Sequence, residues 1–166
     1  REHSGVALVV AGIEAYEDAE AIERTRLLQT ARGGRPQVQH DVGRAVDLKL
    51  RGTAYKVTVF RTGPSRFRVG VADPTGHTVT VDADFERGGP YASRVVVGGR
   101  AHRLVTAAHG PVQLVEVDGV THRVSRDEGG VMRSPAPALV VATPVQVGAE
   151  VAAGAPEQGT VAAKVG

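Results

Sequence analysis

Apolar and polar residues alternate with a period of two over most of this chain, and this alternation limits what it can fold into. Successive side chains of a β-strand point to opposite faces, so the pattern is typical of strands with one buried face. About eight short runs show it: Val46–Leu50, Tyr55–Val59, Phe67–Val71, Val79–Val81, Arg94–Val97, Arg103–Thr106, Leu114–Val117 and Val120–Val124. Aromatic residues make up only 4% of the chain, so aliphatic residues, with Val prominent, must form the core.

Short turns with glycine separate these runs. They are Arg51-Gly52, Thr62-Gly63-Pro64, Asp73–Gly76, Gly98-Gly99, His109-Gly110-Pro111 and Asp118-Gly119. Asp-Gly and Gly-Gly supply the positive φ angles that type I′ hairpin turns need. Strands at this regular spacing predict a mainly β fold, an antiparallel barrel or sandwich of about eight strands over residues 36–126.

One long helix is predicted ahead of the strands, over residues 4–32. Its apolar residues recur at three- and four-residue spacing: Val6, Val9, Val10, Ile13 and Tyr16. Ser4 is the expected N-cap, and Gly33-Gly34 the expected C-terminal stop. We expect this apolar stripe to lie in the interior or at the mouth of the barrel, with the acidic run Glu14–Glu23 as a solvated face.

Candidate catalytic and metal-binding residues are few. None of the six histidines (His3, His40, His77, His102, His109 and His122) forms an H-x-H or H-x-x-x-H pair, so local metal ligation is not predicted. His102 and His122 are expected to be partly buried strand residues, the alternative being a hydrogen-bonded switch. Asp82 and Asp84 have the residue type of a catalytic carboxylate pair, but they alternate along the chain as solvent-facing strand residues do. Ser65, Ser93, Ser125 and Ser134 lie in no G-x-S-x-G elbow, so no catalytic residue is assigned.

Composition narrows the class of protein further. The net charge is +2 and no basic cluster with interleaved aromatics is present, so neither nucleic acid nor a membrane is expected as partner. The chain has no Cys, which excludes disulfides and Cys-based zinc sites and is in keeping with the cytoplasm. Its first residue is Arg rather than Met, and we expect it to be part of a longer protein.

The most specific motif lies after Gly129-Gly130. Ser134-Pro135-Ala136-Pro137 leads into the valine-rich run 138–142, and the pattern V-x-x-G-x-x-V-x-x-G then follows over residues 145–154. This order resembles the first half of a biotinyl (biotin carboxyl carrier) domain. The resemblance implies a partial biotinyl or lipoyl-like β-hammerhead over residues 131–166, a hinge at residues 129–130, and covalent biotin as the cofactor.

Residues 1–128 resemble the BT (coupling) domain that precedes the carrier in biotin-dependent acyl-CoA carboxylases. The hairpins 51–59 and 114–124 carry that resemblance. In this family the domain is an antiparallel barrel around a long helix and performs no chemistry. The resemblance therefore implies a non-catalytic coupling module of an oligomeric holoenzyme, with biotin carboxylase and carboxyltransferase domains or subunits as partners.

The position of the biotinylated lysine stays open between two alignments. Lys164 lies about where the family places it, but the Glu-Ala-Met-Lys-Met pentapeptide is missing and the only methionine is Met132. Alternatively, residues 159–165 resemble the second half of the domain, which makes Lys164 a strand lysine and places the biotinylated lysine outside this sequence. We expect the second arrangement.

Two other functions remain open. A barrel of about eight strands can hold a small ligand if its interior is empty. A structural lipoyl-like module without a modification site is the other alternative. The position of the helix tests the first alternative: if the helix fills the barrel, there is no cavity.

Overall fold

The computed structural model describes residues 2–30, 43–90 and 92–126. One helix precedes eight strands: α1 (Glu2–Thr30), β1 (Arg44–Leu50), β2 (Thr53–Arg61), β3 (Arg66–Ala72), β4 (Thr78–Arg87), β5 (Ala92–Val97), β6 (Arg100–His109), β7 (Val112–Val117) and β8 (Val120–Arg126). The predicted mainly β fold is confirmed. All eight expected runs form strands, and the expected start of the barrel at residue 36 lies outside the described residues.

The strands form a closed barrel in which each one pairs antiparallel with the next along the chain. The barrel closes where β1 meets β8, with Leu48 opposite Arg126 and Leu50 opposite Val124. Inward and outward residues alternate along every strand, as in β3, where Phe67 and Val69 are buried and Arg68 is exposed. Because the barrel is closed, no strand has an unpaired edge.

The two ends of the barrel differ. The upper end carries the turns β1–β2, β3–β4, β5–β6 and β7–β8, and the lower end carries the other connections. Three upper turns have only two residues each, namely Arg51-Gly52, Gly98-Gly99 and Asp118-Gly119. Both residues of each turn have positive φ, for example 49° at Asp118 and 85° at Gly119. These are the dihedral signs of type I′ turns, whose twist matches that of the adjoining strands.

The helix enters the barrel at the upper end and fills its interior. The buried core combines one segment of the helix with the inward-facing strand residues: Val6, Ala7, Leu8, Val9, Val10, Ala11, Ile13, Tyr16, Leu48, Leu50, Val57, Val59, Phe67, Val69, Ala83, Phe85, Val95, Leu104, Val115, Val117 and Val124. A helix with apolar residues on all of its faces is stable when every face is buried, as this segment is in the barrel. The expected stripe was therefore too narrow, because Ala7, Leu8 and Ala11 are buried as well.

Two details of the expected helix were wrong. The helix begins at Glu2, so Ser4 lies inside it and cannot be its N-cap. Glu14 is not part of a solvated face, since only 8% of its surface is exposed. The expected C-cap at Gly33-Gly34, the hinge at residues 129–130 and the biotinyl-like residues 131–166 lie outside the described residues. In the part of the chain that is described, no helix is long and apolar enough to cross a membrane.

Candidate functional site

Four arginines at the lower end of the barrel hold the helix where it leaves the interior. Each lies at the first or last position of a strand and pairs with an acidic residue of α1: Arg44 with Glu23, Arg61 with Glu20, Arg87 with Glu17 and Arg126 with Asp18. We call these eight residues the arginine ring. Single exposed ion pairs contribute little, but pairs that share partners form a network and contribute more.

Arg61 is the best supported member of the arginine ring. Its Nη2 donates to Glu20 Oε2 at 2.7 Å, and its Nη1 donates to the carbonyl oxygen of Pro64 at 2.9 Å. The guanidinium also lies over the ring of Phe67, 4.8 Å from its centroid. With donors satisfied on two sides and an aromatic face below, Arg61 is held in one orientation.

The helix continues beyond the arginine ring, and residues 21–29 are all exposed. This segment, which we call the exposed helix end, carries Ile22 at 54% exposure and Leu28 at 71%. Large aliphatic side chains on the surface mark contact sites when they are grouped. The exposed helix end is thus the first candidate interaction surface.

A different group of residues lies at the upper end, where the helix begins. His3 on the first turn of α1, His102 on β6 and Asp118 in the β7–β8 turn place one donor atom each within 4.8 Å of one another. Asp118 Oδ2 is 2.7 Å from His102 Nδ1 and 3.6 Å from His3 Nε2. His102 is 3% exposed, whereas the other two side chains are 41% and 37% exposed. We call these three residues the upper-end triad.

Burial and hydrogen bonds shift the pKa values of three groups at the two ends of the barrel. At the lower end, burial raises the pKa of Glu14, although Thr106 Oγ1 donates to its Oε1 at 2.9 Å. At the upper end, the hydrogen bond from His102, followed by the one from the Arg103 backbone N–H, lowers the pKa of Asp118. Burial also lowers the pKa of His122, and the positive charge of Arg51 adds to this effect.

A crevice of about 690 Å³ opens at the upper end, between the first turns of the helix and strands β1 to β6. Apolar side chains such as Leu50, Val71 and Val81 line most of it, and Tyr55 and His77 add polar groups. The helix therefore fills the barrel axis but leaves a side space at this end. That space is large enough for a small ligand.

The residues singled out from the sequence are placed as follows. His102 and His122 are each 3% exposed and face the interior. Asp82 is exposed and pairs with Arg68 on the outer face, while Asp84 accepts a hydrogen bond from Ser65 at 2.7 Å. Lys164, the alternative biotin site, lies outside the described residues.

The sequence analysis predicted neither the upper-end triad nor the arginine ring. The members of the upper-end triad are separated by 99 and 16 residues. They become neighbours because β6 pairs with β7 and the helix inserts into the barrel. A local signal existed for Asp118 alone, since it stands in an Asp-Gly turn. The arginine ring had a partial signal, because Arg44, Arg61 and Arg126 each lie two residues beyond the end of a run of alternating residues.

Comparisons with known proteins give no family for this chain. It matches no protein-family model, and a search of curated proteins finds no match.

Proposed function

We propose that this chain is a non-catalytic coupling module, followed by part of a biotin carrier, from a biotin-dependent acyl-CoA carboxylase. The observation that carries the proposal is a closed eight-stranded antiparallel barrel whose interior is filled by the preceding helix. The BT domain that the sequence resembles has this arrangement. A barrel filled along its axis serves as a rigid spacer rather than as a container.

The exposed helix end supports a role in assembly. The arginine ring fixes the helix at the lower end, so the residues beyond it project from a rigid base. Ile22 and Leu28 are then available to a neighbouring domain. In this proposal the barrel tethers biotin carboxylase to carboxyltransferase, and the carrier moves carboxybiotin between them at a high effective concentration.

Assembly can be tested by co-expressing the chain with the biotin carboxylase and carboxyltransferase units of the same organism. We expect a complex that co-elutes in size-exclusion chromatography and that the double substitution I22D/L28D weakens. Val120→Asp is the matched control, because Val120 is also exposed, at 44%, but lies at the upper end. A chain that elutes alone beside both units contradicts the proposal.

Catalysis and biotin attachment are tested separately. The purified chain should show neither ATP-dependent biotin carboxylation nor carboxyl transfer, and turnover of either kind above a buffer blank contradicts a coupling role. Incubation with biotin ligase, biotin and ATP, followed by mass spectrometry of the peptides, examines Lys164. We expect no biotin there; biotin on a peptide containing Lys164 would instead favour the first alignment.

The crevice at the upper end favours a second candidate function, the binding of a small apolar ligand. Its lining contains Val79, which is 52% exposed although it continues the inward-facing series of β4. Val81→Trp should fill the crevice. Saturable binding of an apolar fluorescent dye that Val81→Trp abolishes would support this candidate.

A further inference from the structure

The upper-end triad has the donor set of a metal site. Two imidazole nitrogens and one carboxylate oxygen are ligands that Zn²⁺ takes in proteins. A tetrahedral zinc ion with ligand bonds of about 2.0–2.1 Å separates its ligands by roughly 3.3 Å. The two distances from Asp118 Oδ2, 2.7 Å to His102 Nδ1 and 3.6 Å to His3 Nε2, lie on either side of that separation. The two imidazole nitrogens also lie within 4.8 Å of each other.

Backbone contacts hold the carboxylate in place for this role. The backbone N–H of Asp118 donates to the Arg103 carbonyl oxygen at 2.9 Å, and the Arg103 N–H donates to Asp118 Oδ1 at 2.9 Å. The carboxylate is thus fixed through Oδ1, while Oδ2 faces the two imidazoles. Such a second set of hydrogen bonds is what orients ligands in metal sites.

We propose that His3 Nε2, His102 Nδ1 and Asp118 Oδ2 bind Zn²⁺, with a solvent molecule at the fourth position. The ion replaces the hydrogen bond between His102 Nδ1 and Asp118 Oδ2, and the imidazole proton of His102 moves to Nε2. The partial exposure of His3 and Asp118 leaves this position open to solvent. The site joins the first turn of the helix to β6 and to the β7–β8 turn. The bound zinc therefore locks the start of the helix into the barrel, which is independent of the coupling role proposed above.

Titration calorimetry with ZnCl₂ on the chelator-treated 166-residue chain tests the site. We expect one zinc per chain, a dissociation constant in the micromolar range or tighter, and a melting temperature that rises with zinc, because the ion binds the folded state. Co²⁺ in place of zinc should give the intense visible absorption of a four-coordinate ion.

Two substitutions that each remove a ligand are expected to leave the fold intact. His3→Ala changes a half-exposed helix residue. Asp118→Asn introduces an asparagine, which tolerates the positive φ of 49° found at this position. Each should weaken zinc binding at least about tenfold. The matched control is His109→Ala, which removes an exposed histidine from the lower end of β6 and should leave binding unchanged.

Two outcomes would overturn the proposal. One is the absence of saturable zinc binding by a chain that circular dichroism shows to be folded. The other is binding that persists unchanged in both His3→Ala and Asp118→Asn, which would place the ion elsewhere. Neither outcome bears on the assembly experiment, so the two proposals fail independently.

Discussion

Gly12 of the helix lies directly against Val57 of β2. A Cβ atom added at Gly12 would stand 2.6 Å from Cγ1 of Val57 and 3.4 Å from Cγ2 of Val59. Both valines are buried in the barrel wall. The helix approaches the wall this closely only because residue 12 has no side chain, and this contact sets the position of the helix in the barrel.

Gly12→Ala should therefore destabilise the protein. Alanine favours the helix by about 1 kcal/mol over glycine, but overpacking a tight core costs about 1–3 kcal/mol. The stiff, β-branched Val57 cannot move its Cγ1 aside easily. We expect a net loss on the order of 1 kcal/mol in the free energy of unfolding, measured by urea denaturation.

Gly5→Ala is the control for that experiment, since a Cβ at Gly5 meets no atom within 4 Å. It should stabilise the chain by about 0.5–1 kcal/mol through helix propensity alone. The clash itself is tested in a Val57→Ala background, where Gly12→Ala should be less harmful. Equal effects of Gly12→Ala in both backgrounds would show that Val57 is not the obstacle.

Ile13→Asp should be far more damaging. Ile13 is completely buried where the helix crosses the barrel, and an unpaired carboxylate there has no partner. We expect a loss of about 4 kcal/mol or more, seen as a large fall in melting temperature. Arg24→Ala, in the exposed helix end, should change the melting temperature little. A melting temperature for Ile13→Asp close to that of the wild type would mean that the helix does not fill the barrel in solution.

Arg61 and Arg68 offer a matched pair for the arginine ring. Arg61→Ala removes the ion-paired hydrogen bond to Glu20, the hydrogen bond to Pro64 and a cation–π contact from a side chain that is only 27% exposed, so we expect a loss of about 1–2 kcal/mol. Arg68 pairs with Asp82 on the outer face, where the side chains are 58% and 71% exposed. Arg68→Ala should cost less than about 0.5 kcal/mol. Equal costs in thermal denaturation would contradict a special role for the ring.

The sequence predicted the barrel well because its signals are local. The alternation of apolar and polar residues predicts the buried face of each strand, and pairs such as Asp118-Gly119 predict the turns. Both predictions need no information about distant contacts. The burial of the helix all round also had a local signal. The unbroken apolar run 6–13 leaves no polar face to expose to water, although only every third or fourth residue was assigned to the core.

The arginine ring and the upper-end triad depend on contacts between residues far apart in the chain. Glu17 was expected to lie on an exposed face, yet Arg87, 70 residues later, donates to it. His3 and His102 are brought together by the packing of the helix inside the barrel. No spacing rule within one element contains that information, so a search for local histidine pairs could not find the upper-end triad.

The last prediction concerns Glu14, whose carboxylate is buried beside the lower end of the barrel. Burial raises its pKa above the ordinary value of 4.5, although Thr106 from β6 and Arg87 from β4 lower it in part, and Asp18 and Glu17 on the helix raise it further. The folded state thus holds the proton more tightly than the unfolded state. This contribution to stability is fully present below the unfolded pKa and is lost as the pH rises through the folded pKa.

Glu14→Gln should therefore be more stable than the wild type at pH 7, on the order of 1 kcal/mol, because glutamine still accepts the hydrogen bond from Thr106 without burying a charge. The advantage should shrink as the pH falls towards 4, where the wild-type carboxyl becomes neutral. The free energy of unfolding of both proteins is measured by urea denaturation across this pH range. Exposed acidic residues titrate in both proteins, so their contributions cancel in the difference. A glutamine variant that is less stable at neutral pH would mean that the attraction of Arg87, whose Nη1 lies 3.8 Å from Glu14 Oε1, outweighs the burial of the charge.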